Sequence, residues 1–426
     1  MDNTYISAAE LKNNPLNISS LIVLTLALVA AMPFSHLFLL HLGVVTLNPY
    51  ELAYAVIFVL LITHLIFYGV NKRFSLTLLL TVSIFIIYGF VSVLIYKTSL
   101  DDVFKQIRFY IPFFLATLIV ASKISYDVVK FTRYLTFAAL VSSLSAIVLN
   151  FAFPQVIASM YQTSETAAYI STEGGRLRWD NSFLLFFVIA IYFSSRHKSV
   201  VLYLSLISCL VALMASVSRT EILATIVFVI VLSVFEASGV IKKLKRVSLL
   251  LPIILIALLA AYFVLSLDSR FTDAANIRFT GGGDVSNIYE RSVEINRLFL
   301  YDQYWTKLSD NFPFGQGLGR PFANNGIEDV FISDISIVSF MLPFGLVGAV
   351  LFFIFVRAIR QLFRKPTHSC ESLFEKKFRY AFLHMTTIWI LISLNDDWFS
   401  RKSSVIYLAL FGVLIFSTKN RKLMDS

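Results

Sequence analysis

Residues 268 to 334 read DSRFTDAANIRFTGGGDVSNIYERSVEINRLFLYDQYWTKLSDNFPFGQGLGRPFANNGIEDVFISD, the one long hydrophilic interval in an otherwise apolar chain. Arg270, Arg278, Arg291 and Arg297 crowd its first half, and Arg320 follows the run Gly315, Gly317, Gly319. Long loops without secondary structure are uncommon in compact proteins and usually functional. What lies on either side decides the fold. The chain has 426 residues, of which 58% are hydrophobic and 15% charged, whereas soluble domains carry about a quarter charged residues. Its mean hydropathy is +0.77.

These values describe an integral membrane protein. A membrane span needs about 20 apolar residues, and the apolar runs allow spans near 20–40, 50–70, 74–96, 104–122, 129–152, 181–194, 199–216, 220–236, 247–267, 335–356, 380–394 and 403–417. The expected fold is an all-α polytopic bundle of about twelve transmembrane helices, one integral domain over 1–426. Residues 268–334 then form a large loop on one side of the membrane, with short helices of its own. Lys12 is the sole basic residue before the first apolar run, which is unlike the charged start of a cleavable signal. A retained span is the expectation there.

Charge gives the orientation. With the N-terminus inside, Lys72-Arg73, Arg196-His197-Lys198, Lys242 to Arg246, Arg357 to Arg379 and Lys419 to Lys422 all fall on the cytoplasmic side, as the positive-inside rule requires. Both termini are then cytoplasmic. The net charge of +10 is thereby a matter of topology, and no nucleic-acid partner is implied. The same threading leaves 13 lysines and 9 arginines inside, against 4 lysines and 10 arginines outside. Arginine's planar fork grips phosphate or carboxylate through two parallel bonds, whereas lysine acts as a point charge. Alternatively, the outer arginines pair with outer carboxylates as a solvated surface.

Several outer positions stand out. Arg108 sits about one turn into the fourth apolar run, where an arginine costs up to about 2.5–3.5 kcal/mol at a helix centre and less near the interface. It either snorkels or faces a polar cavity. Gly174-Gly175 precede Arg176 and Arg178 at the head of the next span, with Trp179 and Asn181 following. The short Ser216-Val217-Ser218-Arg219-Thr220-Glu221 hairpin fixes Arg219 at the outer surface, beside a helix N-terminus whose dipole would add to its pull on an anion. Within the large loop, Asn287 and Glu290 resemble a capping box, starting a helix that carries Arg291, Ile295, Leu298, Asp302 and Trp305 on one stripe. Tyr301, Tyr304 and Trp305 are its expected interface anchors. The glycine run before Arg320 is weak evidence for phosphate binding, since no strand precedes it. Pro343-Phe344-Gly345-Leu346-Val347-Gly348 marks a kink or close contact in the tenth span.

Metal and redox chemistry find little footing. His36, His41 and His64 lie on apolar stretches without carboxylate or cysteine at ligand spacing, and Cys209 and Cys370 form no disulfide or zinc pattern. No metal or other cofactor is expected.

Together, Gly175-Arg176-Leu177 with Asn181, Ser216-Val217-Ser218-Arg219-Thr220, Arg291 in the large loop and Pro313-Phe314-Gly315-Gln316-Gly317 before a glycine-bearing span resemble the O-antigen polymerase and ligase superfamily of bacterial envelope enzymes. The resemblance covers residues 100–360 approximately, and the order and placement of the motifs carry it. It implies an inverting, metal-independent glycosyltransferase of the inner membrane that takes undecaprenyl-pyrophosphate-linked glycans on the periplasmic side, among membrane lipids. A flippase and a chain-length regulator are the implied partners. The ligase branch carries a His-Asn pair where this chain has Phe331-Ile332-Ser333-Asp334-Ile335-Ser336, without histidine. That departure favours a Wzy-type polymerase over a ligase. The implied roles are pyrophosphate stabilisation by Arg176, Arg219 and Arg291, further substrate contacts from Arg108, Arg178, Arg297 and Arg320, and base catalysis by Asp334 or Glu290. Glu290 equally suits a capping or ion-pairing role. A transporter or flippase of similar layout is the rival from another class, although transporters show internal repeats and midplane charges that this sequence lacks.

Overall fold

The computed structural model describes residues 17–32, 40–42, 45–47, 49–153, 179, 181–195, 198–215, 219–236, 259, 263, 303–321, 323–324, 329–330, 336–363, 373–392 and 404–424. Among them the chain is almost wholly helical. In order come α1 (Ile18–Ala31), α2 (Pro49–Tyr68), α3 (Ser75–Leu94), α4 (Leu100–Phe109), α5 (Ile111–Ala121), α6 (Val128–Ala152), α7 (Leu184–Ser194), α8 (Val200–Ala215), α9 (Arg219–Glu236), α10 (Ser336–Leu362), α11 (Leu373–Ile392) and α12 (Ser404–Met424). Two short antiparallel pairs accompany them: β1 (Leu40–Leu42) with β2 (Val45–Leu47), and β3 (Ala323–Asn324) with β4 (Asp329–Val330).

Four of these helices, α2, α3, α6 and α10, are long and apolar enough to cross a membrane, and the bent pair α4 and α5 is a fifth candidate. The protein is therefore a helical, multi-pass membrane protein. Helix starts follow local capping chemistry. The Asn17 side chain accepts from Ser19 N at 3.1 Å, Ser99 Oγ from Asp102 N at 3.1 Å, and Asp127 from Val129 N at 2.8 Å, each satisfying an amide that the helix itself leaves open.

Among the described residues the first run, expected over 20–40, is helical only over Ile18–Ala31, the ninth, over 247–267, lies outside the described residues apart from 259 and 263, and the fourth departs from its sequence reading. The fourth, expected as one run over 104–122, is two helices meeting at Tyr110 with a 59° bend. Pro112 explains the break, because it can neither donate to the carbonyl of Arg108 nor fit its ring beneath it. The break lets α4 turn away with its charged face, Asp101, Lys105 and Arg108, exposed. The kink expected at Pro343 to Gly348 is present: Gly345 leaves the helical region at φ 59° and ψ −140°.

The core gathers around α5, most of whose residues are buried. Phe113 meets Phe340 and Phe355 edge-on at 4.8 and 4.6 Å, and Phe85 meets Phe344 at 4.7 Å. Such pairs hold helices together in lipid, where removal from water contributes nothing between apolar faces. The α6–α8 seam uses small polar residues, with Ser143 Oγ and Ser208 Oγ 2.7 Å apart and Ser205 Oγ donating to Thr136 O at 2.9 Å. Cys209 is buried in the same seam.

Contacts between helices define two ends of the bundle. At one, Asn71 N donates to Ala121 O at 2.7 Å, Arg73 lies over Phe416, and Phe363 stacks on Phe382. At the other, the last carbonyls of α1 meet Tyr50 and Asn181, and α3 ends beside Arg320. They are called here the Arg73 end and the Arg320 end.

Candidate functional site

A helical stretch over 303–310 leads into the segment from Pro313 to Arg320. Of the expected interface anchors on that stretch, Tyr304 is buried and Trp305 is exposed; Tyr301 lies outside the described residues. The segment runs into the Arg320 end without helix or strand. Irregular backbone at such a position needs partners for each amide and carbonyl, since lipid offers none.

Those partners are present. Gly315 N donates to Asn311 O at 2.8 Å, Gln316 N to Leu342 O at 2.8 Å and Gly317 N to Pro343 O at 3.1 Å. Leu318 N donates to Ser92 Oγ at 2.6 Å, and Gly319 N to Oε1 of the fully buried Gln106. In return, Leu346 N donates to Pro313 O at 2.7 Å and the Tyr88 hydroxyl to Phe344 O at 3.0 Å. The segment thus fills the break in α10 and closes its backbone bonds. Gly345 has to be glycine because a Cβ there would fall on the carbonyl oxygen of Pro313, and Gly317 because one would meet the Tyr96 ring at 2.5 Å.

This corrects one reading of the glycine run. A phosphate cradle needs free, convergent amides. Here five successive amides, from Gly315 to Gly319, are spent inside the protein. The glycines serve close approach and left-handed backbone, with φ of 78°, 85° and 77°.

Arg320 emerges from this rigid base. Its guanidinium donates from Nη2 to Tyr96 O at 3.2 Å and lies 4.5 Å from the centre of the Tyr96 ring, while its own carbonyl accepts from Gln316 Nε2 at 2.7 Å. Arg108 is also on this end. It forms an ion pair with Glu51 at the head of α2 and remains half exposed. Lys105 pairs with Asp101 at 2.7 Å.

Asn181 joins three helices, as its amide donates to Ala30 O at 3.3 Å, to Met32 O and to Tyr50 Oη at 3.0 Å. It acts as an anchor holding the end of α1 to α2 and α7. Trp179 is buried and donates to Ser142 Oγ at 3.0 Å. Arg219 is the first residue of α9, and Glu221, two residues later, is buried. The remaining sequence candidates, Arg176, Arg178, Glu290, Arg291, Arg297 and Asp334, lie outside the described residues, as does the side chain of Arg219. Of the nine, the structure therefore places the side chains of two, Arg108 on α4 and Arg320 beside it. Glu51, Tyr96 and Gln106 escaped the sequence reading. Gln106 alone had a signal, falling on one face of α4 with Val103 and Tyr110.

Among the described residues, no group of three or more His, Cys, Asp or Glu side chains is arranged to hold a metal. His64 is buried with Nε2 3.2 Å from Ser19 Oγ. No known family model matches the chain, and no curated protein was found to be similar to it.

Proposed function

We propose that this protein is an inverting membrane glycosyltransferase of the polymerase type, which joins undecaprenyl-pyrophosphate-linked oligosaccharide repeat units into a surface polysaccharide. In this reading the chain crosses the inner membrane twelve times with both termini in the cytoplasm, and residues 268–334 lie in the periplasm. The observation that carries it is the order of four short motifs, at Gly175 to Asn181, Ser216 to Thr220, Arg291 and Pro313 to Gly317, each at the head of a span or in the large loop. The fixed backbone around the last of them adds support, since transferring chemistry depends on groups held within a fraction of an ångström.

The leaving group is a lipid pyrophosphate, and charge growing on its oxygens is stabilised by fixed cations. Arg176, Arg219 and Arg291 take that role, with Arg178, Arg297, Arg320 and Arg108 along the glycan and phosphate path. Asp334, at the place where the ligase branch has histidine, is the base that relieves the acceptor hydroxyl of its proton, with Glu290 as its alternative.

The test is the state of the lipid carrier in a strain lacking the gene. Loss of a polymerase leaves single repeat units on the carrier, exposed to the periplasm. Long chains on the carrier would instead indicate a ligase, and single units retained on the cytoplasmic leaflet a flippase. Either of these results rejects the polymerase.

A further inference from the structure

Lys105 and Arg108 on α4 share the Arg320 end with Arg320 itself, and these residues are not equivalent. Lys105 meets Asp101 and Asp102, and Arg108 meets Glu51. Among the described residues Arg320 meets no carboxylate: its guanidinium touches the carbonyl and the ring of Tyr96. That single hydrogen bond uses one of the five N–H groups an arginine carries. Nothing in those contacts neutralises the charge, and the Tyr96 ring beneath it attracts a cation without competing for its N–H edge.

The base of Arg320 is also unusually fixed. Gly319 is held at φ 77° by Gln106, and a Cβ there would meet Thr98 at 2.6 Å and Val103 N at 2.7 Å. Gln316 closes on the Arg320 carbonyl. A half-buried arginine with fixed backbone, a stacked side chain and no acid partner among the described residues is prepared for an anion that arrives from outside them. It sits at an end of a membrane bundle, where phosphate groups of lipids lie.

We infer that Tyr96 is a positioning residue that holds Arg320 ready to bind the phosphate of a lipid. Tyr96 acts through Arg320 and does not touch the ligand. The choice of a pyrophosphate lipid over a phospholipid headgroup rests on the polymerase reading above; the phosphate site itself does not.

The experiment uses the full chain in phosphatidylcholine nanodiscs, with each variant first shown to be monodisperse. Binding of a short-chain polyprenyl pyrophosphate is measured, and retention of phosphatidylglycerol in parallel. Arg320→Ala should weaken pyrophosphate-lipid binding about tenfold or more, as loss of charge-assisted bonds does, and Arg320→Lys should recover only part of it. Tyr96→Leu should cost roughly two- to fivefold, while Tyr96→Phe, which keeps the ring, stays near wild type. The double variant Tyr96→Leu with Arg320→Ala should bind no worse than Arg320→Ala alone, because Tyr96 has then nothing to position. Lys130→Ala, on an exposed part of α6, is the control. Dependence of phosphatidylglycerol alone on Arg320 would support the phosphate site and make its ligand a headgroup, leaving the carrier-state test of the polymerase unaffected. Losses that add in the double variant would reduce Tyr96 to a packing residue, and indifference of both lipids to Arg320→Ala would overturn the site.

Discussion

At the Arg73 end, helices finish and hand over within a few residues, whereas at the Arg320 end one helix stops at Tyr110, another opens at Gly345, and a non-helical segment fills the space between. Among the described residues the Arg73 end is held by ring contacts such as Phe363 on Phe382 and Phe378 on Phe411, and by a backbone bond from Asn71 to Ala121. The Arg320 end is held by directional bonds from Ser92, Tyr88, Gln106 and Asn181. Regular helices satisfy their own backbone and leave side chains free for packing. A broken helix in a membrane has to borrow partners, and the borrowing fixes backbone where a rigid site is useful.

The largest expected effect tests whether close approach, and not merely left-handed backbone, separates the two ends. Gly345 and Gly69 both have positive φ, 59° and 72°. A Cβ at Gly345 would strike Pro313 and Phe314, whereas at Gly69 its nearest neighbour is Lys123 Nζ at 3.7 Å. Gly345→Ala should yield little monodisperse protein in mild detergent. Gly69→Ala should fold and lose about 1–2 kcal/mol, the ordinary cost of a left-handed non-glycine residue. Equal yields and melting temperatures for the pair would erase the distinction.

An intermediate effect is expected from the borrowed partners. Gln106→Leu leaves the Gly319 amide buried without its acceptor and should cost about 1–3 kcal/mol. Asn71→Ala, at the other end, removes a 3.2 Å bond to Arg73 N on the surface and should change stability by about 0.5 kcal/mol or less. Thermal unfolding of both in one detergent compares them directly. A larger loss at Asn71 would mean that the Arg73 end depends on polar bonds more than its ring packing indicates.

The smallest effect concerns Arg108. Its ion pair with Glu51 is half exposed on the arginine side, so a double-mutant cycle to alanine should give a coupling of about 0.2–1 kcal/mol that shrinks with added salt. A coupling of several kcal/mol, unmoved by salt, would place this pair among the supports of the Arg320 end.

Much of the architecture was legible in advance. The apolar runs at 50–70, 129–152 and 220–236 correspond to α2, α6 and α9 within one or two residues, because a lipid-spanning helix must be apolar along its whole length. The break near Gly345 was legible too, since proline and glycine in one turn remove a donor and loosen the backbone. Pro112 carried the same information for the α4–α5 bend, and the apolar residues around it hid it. Of the site, Arg108 and Arg320 were identified as residue types suited to anions, but nothing in their neighbourhood along the chain told one from the other.

Sequence by itself determined that this is a helical membrane protein, where several of its helices run and which cations are candidates for an anion. Those properties depend on composition and on neighbours a few positions apart. Only the tertiary structure decided that the glycine run is a plug for a broken helix, that Glu51 neutralises Arg108 across 57 positions, and that Arg320 rests on Tyr96 across 224. Such pairings depend on which helix ends meet in space, and a charge acquires its chemistry from the partner it meets there or from having none.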